Sequence, residues 1–266
     1  MMEAFAQAPR KRFGQNFLTD ARVIHAILRA VHARAGQRIV EIGPGRGALT
    51  EGLIASTAEL HLVEIDRDLA ARWRECAGPL LTVHEADALR FDFAALASGP
   101  RSLRIVGNLP YNISTPLLFH LLAQSPAILD MHFMLQREVV DRIAAAPGGD
   151  DYGRLSVMVQ YQCRAERILE VPPEAFEPAP KVHSAVVQLL PGYHDHGIAQ
   201  DPRLLATLVR QAFSQRRKTL RNALSGVLTA EGVKAVGIDP QRRPETLSVA
   251  EFVRLADAAA AAAGDG

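Results

Sequence analysis

The sequence is poor in cysteine and in metal-ligand patterns. Its 266 residues include two cysteines, Cys76 and Cys163, and neither has a partner at the spacing of a metal site. We expect two buried, inert thiols and no bound metal. His194 and His196 form the single His-x-His pair, and their position after a Pro-Gly turn favours a solvated linker over a metal site.

Long apolar runs are also absent. No window approaches the roughly 18 consecutive apolar residues that a membrane-spanning helix needs. Residues 10–12 are basic but are followed by no apolar stretch, so the N-terminal segment does not read as a secretory signal. With 48% hydrophobic and 22% charged residues the composition is that of a globular protein. We therefore expect a soluble, cytoplasmic protein with no membrane partner. A monomer is expected as well, although the composition does not determine the oligomeric state.

Acidic residues are absent from one segment, although the formal net charge of the whole chain is only +1. Residues 202–230 contain six basic residues and no acidic one, in a part of the chain whose pattern is helical. One interpretation is a solvated helix face with no partner. A set of basic residues of this size without acidic neighbours is instead typical of contacts to a phosphate backbone. The basic residues are Arg203, Arg210, Arg216, Arg217, Lys218 and Arg221.

The most informative stretch that is present covers residues 39–54. A β-branched run, residues 39–42, leads into three alternating glycines, Gly43, Gly45 and Gly47, and then into a helix-like apolar segment from Ala48. Glycine permits positive φ and lets a ligand approach the backbone, and a helix start offers free N–H groups. The pattern predicts a strand, a ligand-binding turn and a helix, with a purely structural turn as the alternative.

Two acidic residues follow the next two strands that the sequence predicts. Glu64 lies 21 residues after Gly43, at the end of an apolar run, where nucleotide-binding α/β folds place a ribose acceptor. The G-x-G-x-G spacing is closer to the layout used for S-adenosylmethionine than to the dinucleotide fingerprint. Asp87 follows the third predicted strand, residues 80–84. Because parallel strands bind ligands at their carboxyl ends, Gly43, Glu64 and Asp87 should share one edge of the sheet.

The fourth predicted strand, residues 103–106, is followed by Asn108-Leu109-Pro110-Tyr111. A purine exocyclic amine is a poor nucleophile because its lone pair is delocalised into the ring. The Asn108 side-chain oxygen and the Leu109 carbonyl can accept its protons, Pro110 can fix the turn, and Tyr111 can stack on the base. No Pro-Cys pair, expected for attack on a pyrimidine carbon, occurs in the sequence. A structural turn with Asn108 in a left-handed conformation is the alternative.

Alternating strands and helices predict an α/β fold with a mostly parallel sheet. Further patterns predict a first helix capped by Thr19 and ended by Gly36, a helix capped by Thr115, an extended proline-rich loop over residues 172–182, and a helix that begins at Asp201 and Pro202. The character changes to helices alone from about Tyr193. We therefore expect two domains, residues 1–192 and residues 193–266.

Eight segments of the chain resemble, in order, the motifs of the ribosomal RNA adenine dimethyltransferases, and most closely those of the bacterial members that act on the small subunit. The resemblance covers the chain from about Arg10 to Leu255. Residues 178–183 depart from the family pattern, with Ala179 and His183 where the family usually has a proline and an aspartate. An RNA contact at this segment therefore does not follow from the resemblance. The segments are residues 13–18, 41–50, 63–66, 86–89, 108–111, 136–139, 180–182 and 213–218.

The resemblance implies a Rossmann-like S-adenosylmethionine-dependent domain with a seven-stranded sheet and a small helical RNA-binding domain. It implies dimethylation of two adjacent adenines in a hairpin near the 3′ end of small-subunit 16S rRNA, late in assembly. Cofactor contacts are implied for Asn16 and Leu18 in the N-terminal segment, Gly43 and Gly45 in the glycine loop, Glu64 at the ribose, Asp87 at the adenine amine, and Asn108 between cofactor and target. RNA contacts are expected at Arg216, Arg217, Lys218 and Arg221.

Two other functions fit parts of the sequence. A relative that methylates large-subunit rRNA and confers antibiotic resistance would carry the same cofactor motifs. A non-catalytic RNA-binding assembly or transcription factor could keep the fold, although the intact residues 108–111 argue against it.

Overall fold

The computed structural model describes residues 16–56, 58–192, 195–215 and 218–264. The chain forms two compact units, Met1–Val140 with Ala165–Pro191, and Asp141–Arg164 with Gly192–Gly266. The sequence-based division at residue 192 placed Asp141–Arg164 in the first domain, whereas in the structure this segment packs with the C-terminal helices. The unit to which a segment belongs depends on the residues it packs against. The alternation of strands and helices in the sequence does not reveal these packing partners.

The first unit is built around a seven-stranded sheet in the order β4-β3-β2-β5-β6-β9-β7. The pairs β2–β3, β2–β5, β3–β4 and β5–β6 are parallel, and β6–β9 is antiparallel, which confirms the predicted, mostly parallel α/β fold. The strands of this sheet are β2 Arg38–Ile42, β3 Glu59–Glu64, β4 Leu81–Glu85, β5 Leu103–Asn108, β6 Ile128–Gln136, β7 Cys163–Val171 and β9 Ser184–Pro191.

Helices cover the sheet of the first unit. Ile27 of α1 and Trp73 of α3 lie in one apolar cluster with Ile39 of β2 and Leu60 of β3. Central strands that are buried on both faces are mostly apolar in sequence, which is why β2 and β5 could be recognised. The helices are α1 Ala21–Val31, α2 Thr50–Ala55, α3 Arg67–Glu75, α4 Ser114–Leu122 and the start of α5 Arg137–Ala144.

The second unit is helical apart from the first residues of β7. α7 packs against α6, α8 and α10, and the Tyr152 ring lies 6.3 Å from that of Phe213. Asp201 caps α7 by accepting from the backbone of Arg203 and Leu204, with Pro202 at the first position as predicted. The helices are the end of α5, α6 Arg154–Gln160, α7 Pro202–Ser214, α8 Leu220–Ala223, α9 Ala230–Ala235 and α10 Val249–Gly264.

Several local predictions were wrong. The cap of α1 is Asp20, whose carboxylate accepts from Arg22 N at 2.8 Å. The Thr19 hydroxyl instead donates to Ala175 O at 3.2 Å. The same helix ends at Val31, before Gly36, and α4 begins at Ser114 without a side-chain cap. Cys76 is exposed, whereas Cys163 is buried as expected.

The proline-rich segment is more ordered than an extended loop. It contains a short 3-10 turn, Pro173–Ala175, and the strand β8 Phe176–Glu177. β8 pairs antiparallel with β1, Phe17–Leu18, with Phe17 opposite Glu177. We call these two strands the β1/β8 clasp. A two-stranded pairing between residues about 160 positions apart has no local signature in the sequence.

Candidate functional site

A cleft of about 1050 Å³, including its part open to solvent, lies at the carboxyl ends of the central strands. The structure brings to it all ten of the predicted catalytic and cofactor-contacting residues. Eight of them lie at or just after the ends of β2, β3, β4 and β5, as the strand-end rule predicts, and two come from the segment around β1. The ten residues are Asn16, Leu18, Gly43, Gly45, Glu64, Asp87, Asn108, Leu109, Pro110 and Tyr111.

The glycine loop follows β2 and turns with positive φ at Gly43, Gly45 and Gly47 (67°, 54° and 92°). A Cβ at Gly47 would lie 2.7 Å from Trp73 Cη2, and one at Gly45 would lie 3.2 Å from Phe17 Cε1. The Trp73 Nε1–H donates to Gly45 O at 3.1 Å. Backbone conformation and close packing therefore both require glycine here.

Two carboxylates line the cleft on the side of β3 and β4. Glu64 is 4% exposed, and its Oε1 accepts from Asp66 N at 2.9 Å. Burial raises the pKa of the Glu64 carboxyl, and the N–H groups of Asp66 and Gly45 act in the opposite direction. Asp87 is less buried and accepts from Leu89 N at 2.9 Å. Both side chains can accept hydrogen bonds from hydroxyl or amine groups in the cleft.

A third carboxyl in the cleft was not predicted. Glu41 of β2 lines the same space and is 2% exposed, and Thr50 Oγ1 donates to its Oε2 at 2.7 Å. Burial, with the nearby Glu64 charge, raises the pKa of Glu41 to about 8, against the effect of the Thr50 hydrogen bond. One signal in the sequence could have revealed it, a charged residue inside an apolar strand.

Asn108 is the last residue of β5. Its Nδ2 donates to Asn16 O at 3.1 Å, and its Oδ1 accepts no hydrogen bond from the residues that the structure describes. Since a backbone carbonyl can only accept, this contact fixes which end of the amide faces Asn16. Among the described residues the positive-φ non-glycines are His32 and Arg101, so the alternative of a left-handed Asn108 is wrong.

The turn after Asn108 is held at both ends. Leu109 N donates to Met134 O at 3.1 Å, and Ile113 N donates to Pro110 O at 3.2 Å. The Tyr111 hydroxyl lies 2.7 Å from Ser184 Oγ, and burial raises the pKa of this phenol. The tyrosine therefore stays neutral at ordinary pH.

The β1/β8 clasp is fastened to the glycine loop by Arg46. The guanidinium lies 4.3 Å from the centroid of the Phe17 ring, and Nη1 lies 3.7 Å from Glu177 Oε2. Sequence reasoning missed Arg46 and Glu177, because neither residue belongs to a pattern with a strand-end or capping signature.

The basic segment lies in the second unit. Arg216 and Arg217 are outside the described residues, while Lys218 and Arg221 are exposed. Arg203 and Arg210 are exposed on α7. Across the ranges described, we find no group of three or more metal-ligating side chains and no helix long and apolar enough to cross a membrane.

The sheet and its cleft define the class: this is a methyltransferase-like α/β fold. A crystal structure of a dimethyladenosine transferase from Plasmodium falciparum has the same fold, with a TM-score of 0.78 at 24% identity over 90% of this chain and 95% of that one. The structure of the 23S rRNA methyltransferase ErmE gives a TM-score of 0.72 at 25% identity, over 91% and 99% of the two chains.

Sequence comparison narrows the class. The family model Ribosomal RNA adenine dimethylase matches residues 6–261. Ribosomal RNA small subunit methyltransferase A of Pseudomonas aeruginosa is 58% identical over 259 residues, 97% of each chain. The protein of the same name from Laribacter hongkongensis is 58% identical over 250 residues, 94% of this chain and 95% of its own. The chain belongs to the ribosomal RNA adenine dimethylase family, and the predicted resemblance and enzyme class are confirmed.

Proposed function

We propose that this enzyme transfers methyl groups from S-adenosylmethionine to the N6 amines of two adjacent adenosines in a hairpin near the 3′ end of 16S rRNA, late in small-subunit assembly. The observation that carries the proposal is the Asn108 Oδ1, which accepts no hydrogen bond from any described residue and lies in the same cleft as the glycine loop and the two acidic strand ends. The names of the relatives at 58% identity supply the small-subunit target.

The residues of the cleft fit the cofactor. The Gly43 position leaves room beside the loop, since a Cβ there would meet nothing nearer than Asn108 O at 4.0 Å. Glu64 would accept from the ribose hydroxyls, Asp87 from the adenine amine, and Gly43 and Gly45 would flank the methionine part. Asn16 and Leu18 would close the cleft from β1. When bound, S-adenosylmethionine supplies a methyl group on a positively charged sulfur, which leaves as a neutral thioether.

Residues 108–111 would orient the target amine. Asn108 Oδ1 and the Leu109 carbonyl would accept its two protons, which favours a pyramidal nitrogen with a directed lone pair. Pro110 would hold the turn, and the neutral Tyr111 ring would stack on the base. An adenine can reach this depth only after it leaves its stack, as base-modifying enzymes require.

The basic residues of the segment 202–230 would bind the phosphate backbone of the subunit RNA. We assign this role to Arg216, Arg217, Lys218 and Arg221. We further propose that the enzyme acts as a cytoplasmic monomer, the compartment following from its ribosomal substrate, and light scattering at increasing protein concentration tests the oligomeric state.

Methyl transfer from labelled cofactor to separated ribosomal particles tests the function. Small subunits from cells that lack the enzyme should gain label, and mass spectrometry should find two adjacent dimethyladenosines near the 3′ end of 16S rRNA. The 25% identity with ErmE makes a 23S rRNA target the second candidate, and label in large subunits would favour it. Failure to label either particle would support a non-catalytic assembly factor instead.

A further inference from the structure

Glu41 is a buried acid without a cationic partner among the residues that the structure describes. Its side chain is 2% exposed and lines the cleft, and Thr50 Oγ1 supplies its hydrogen bond at 2.7 Å. No lysine, arginine or histidine of the described residues pairs with it. Moving an isolated carboxylate out of water costs far more free energy than moving a neutral carboxylic acid. A buried carboxyl therefore stays protonated unless a cation binds beside it.

The charged surroundings of Glu41 reinforce this tendency. In the described part of the chain, the charge that acts on Glu41 is that of Glu64 on the neighbouring strand β3. Both side chains are acidic, so a negative charge on Glu64 disfavours ionisation of Glu41. Thr50, on α2, acts in the opposite direction by donating to the carboxylate. Burial outweighs the hydrogen bond, and the pKa of Glu41 is raised to about 8. Without a bound cation most of the Glu41 side chains therefore carry a proton at neutral pH.

We propose that Glu41 makes methyl-donor binding release a proton: its carboxyl stays neutral until the positively charged donor enters the cleft, and then ionises. The proton passes to solvent, and the Thr50 hydroxyl then donates to a full carboxylate, which strengthens that hydrogen bond. The proposal rests on the proposed function, because the sulfonium of S-adenosylmethionine is the cation.

A consequence is discrimination by charge. The demethylated product, S-adenosylhomocysteine, has a neutral sulfur, so it gives Glu41 less reason to ionise. The cleft would hold the donor in preference to the product on this ground, although the two molecules differ by one methyl group. Product release would then be helped by return of a proton to Glu41, which bears on an enzyme that must exchange cofactor between successive transfers.

The sign of the pH dependence follows from the direction of the shift. Below about pH 8 binding must remove a proton from Glu41, so the donor affinity rises with pH, by at most about tenfold per unit for one proton. Above about pH 8 the carboxyl is already ionised, and the affinity becomes independent of pH. The neutral-sulfur product should show a shallower dependence.

Titration calorimetry of the full-length protein measures the proton directly. S-adenosylmethionine is titrated at about pH 7 in several buffers of different ionisation enthalpy. The slope of the observed binding enthalpy against the buffer ionisation enthalpy gives the number of protons released. We expect close to one proton for the wild type with S-adenosylmethionine and fewer with S-adenosylhomocysteine. Glu41→Gln should release almost none and should bind the donor with little dependence on pH. Glu51→Gln, the same chemical change at a partly exposed glutamate on α2, is the matched control and should behave as the wild type.

The outcomes separate the two proposals. Failure of the wild type to bind S-adenosylmethionine at any pH would overturn the proposed function. Donor binding without proton release, or release that survives in Glu41→Gln, would overturn the role of Glu41 and leave the proposed function standing. If Glu41→Gln does not fold, infrared difference spectra of the wild type decide: the band of a protonated carboxylic acid should disappear when the donor is added, and its persistence would reject the inference.

Discussion

The cleft of the first unit relies on buried groups with fixed hydrogen bonds, whereas the basic surface of the second unit relies on exposed charges. In the cleft, Glu41 and Glu64 are almost fully buried, and Asn108 is held by a backbone carbonyl, so small displacements change hydrogen bonds and pKa values. Lys218 and Arg221 are exposed, where charge acts without a fixed hydrogen-bond geometry and is screened by salt. Substitutions in the cleft should therefore change chemistry and cofactor affinity, and substitutions on the basic surface should change RNA affinity alone.

The largest effect should come from Asn108→Ala. Loss of the oxygen that accepts from the target amine should lower turnover by about 100- to 1000-fold, the range found when one catalytic hydrogen-bonding group is removed. Donor affinity, measured by calorimetry, should largely survive. Asn112→Ala, at an exposed residue of the same turn, is the control. Near-normal methylation of small subunits by Asn108→Ala would remove this residue from the mechanism.

Gly47→Ala should break the cleft through the backbone. An alanine at this position would be strained by the φ of 92°, and its Cβ would clash with the buried Trp73 ring at 2.7 Å. We therefore expect a loss of about 2 to 4 kcal/mol in the free energy of unfolding. Urea unfolding measures it. Gly78→Ala, where a Cβ would meet nothing within 4 Å, should be close to neutral. Equal stability of the two variants would show that the loop tolerates a side chain.

Charge reversal of the basic surface should leave the cleft intact. Lys218→Glu combined with Arg221→Glu should weaken binding to small subunits by about tenfold or more at low salt, with a reduced dependence on salt concentration. Donor affinity should not change. Lys234→Glu, an exposed lysine on α9 of the same unit, should have a smaller effect. Unchanged subunit binding in the double variant would reject the assigned surface.

The smallest effect concerns the β1/β8 clasp. Arg46→Met removes a cation–π contact, worth roughly 0.5–1 kcal/mol, so donor affinity should fall by about two- to fivefold, and Arg46→Lys should restore part of it. Glu177→Gln should change little, because the Glu177 side chain is 72% exposed and exposed ion pairs contribute little. A larger loss in Glu177→Gln than in Arg46→Met would invert this ranking.

The fold and most of the cleft could be predicted because strand ends in a parallel sheet converge on one edge. Gly43, Glu64, Asp87 and Asn108 each follow an apolar run, and this local signal is sufficient to bring them together. Glu41 could not be ranked as a site residue from its pattern, since its importance comes from burial without a cation. The pairing of β1 with β8, and the packing of residues 141–164 with the C-terminal helices, depend on contacts that are distant in the sequence.

Trp73 is the single tryptophan of the chain, is fully buried, and donates its indole N–H to the carbonyl of Gly45. Its ultraviolet emission therefore comes from one site, where the ring contacts the glycine loop, and no attached dye is needed. Stopped-flow fluorescence can then follow the arrival of donor and the departure of product in real time, so that the exchange step between successive methyl transfers becomes visible in the unmodified enzyme.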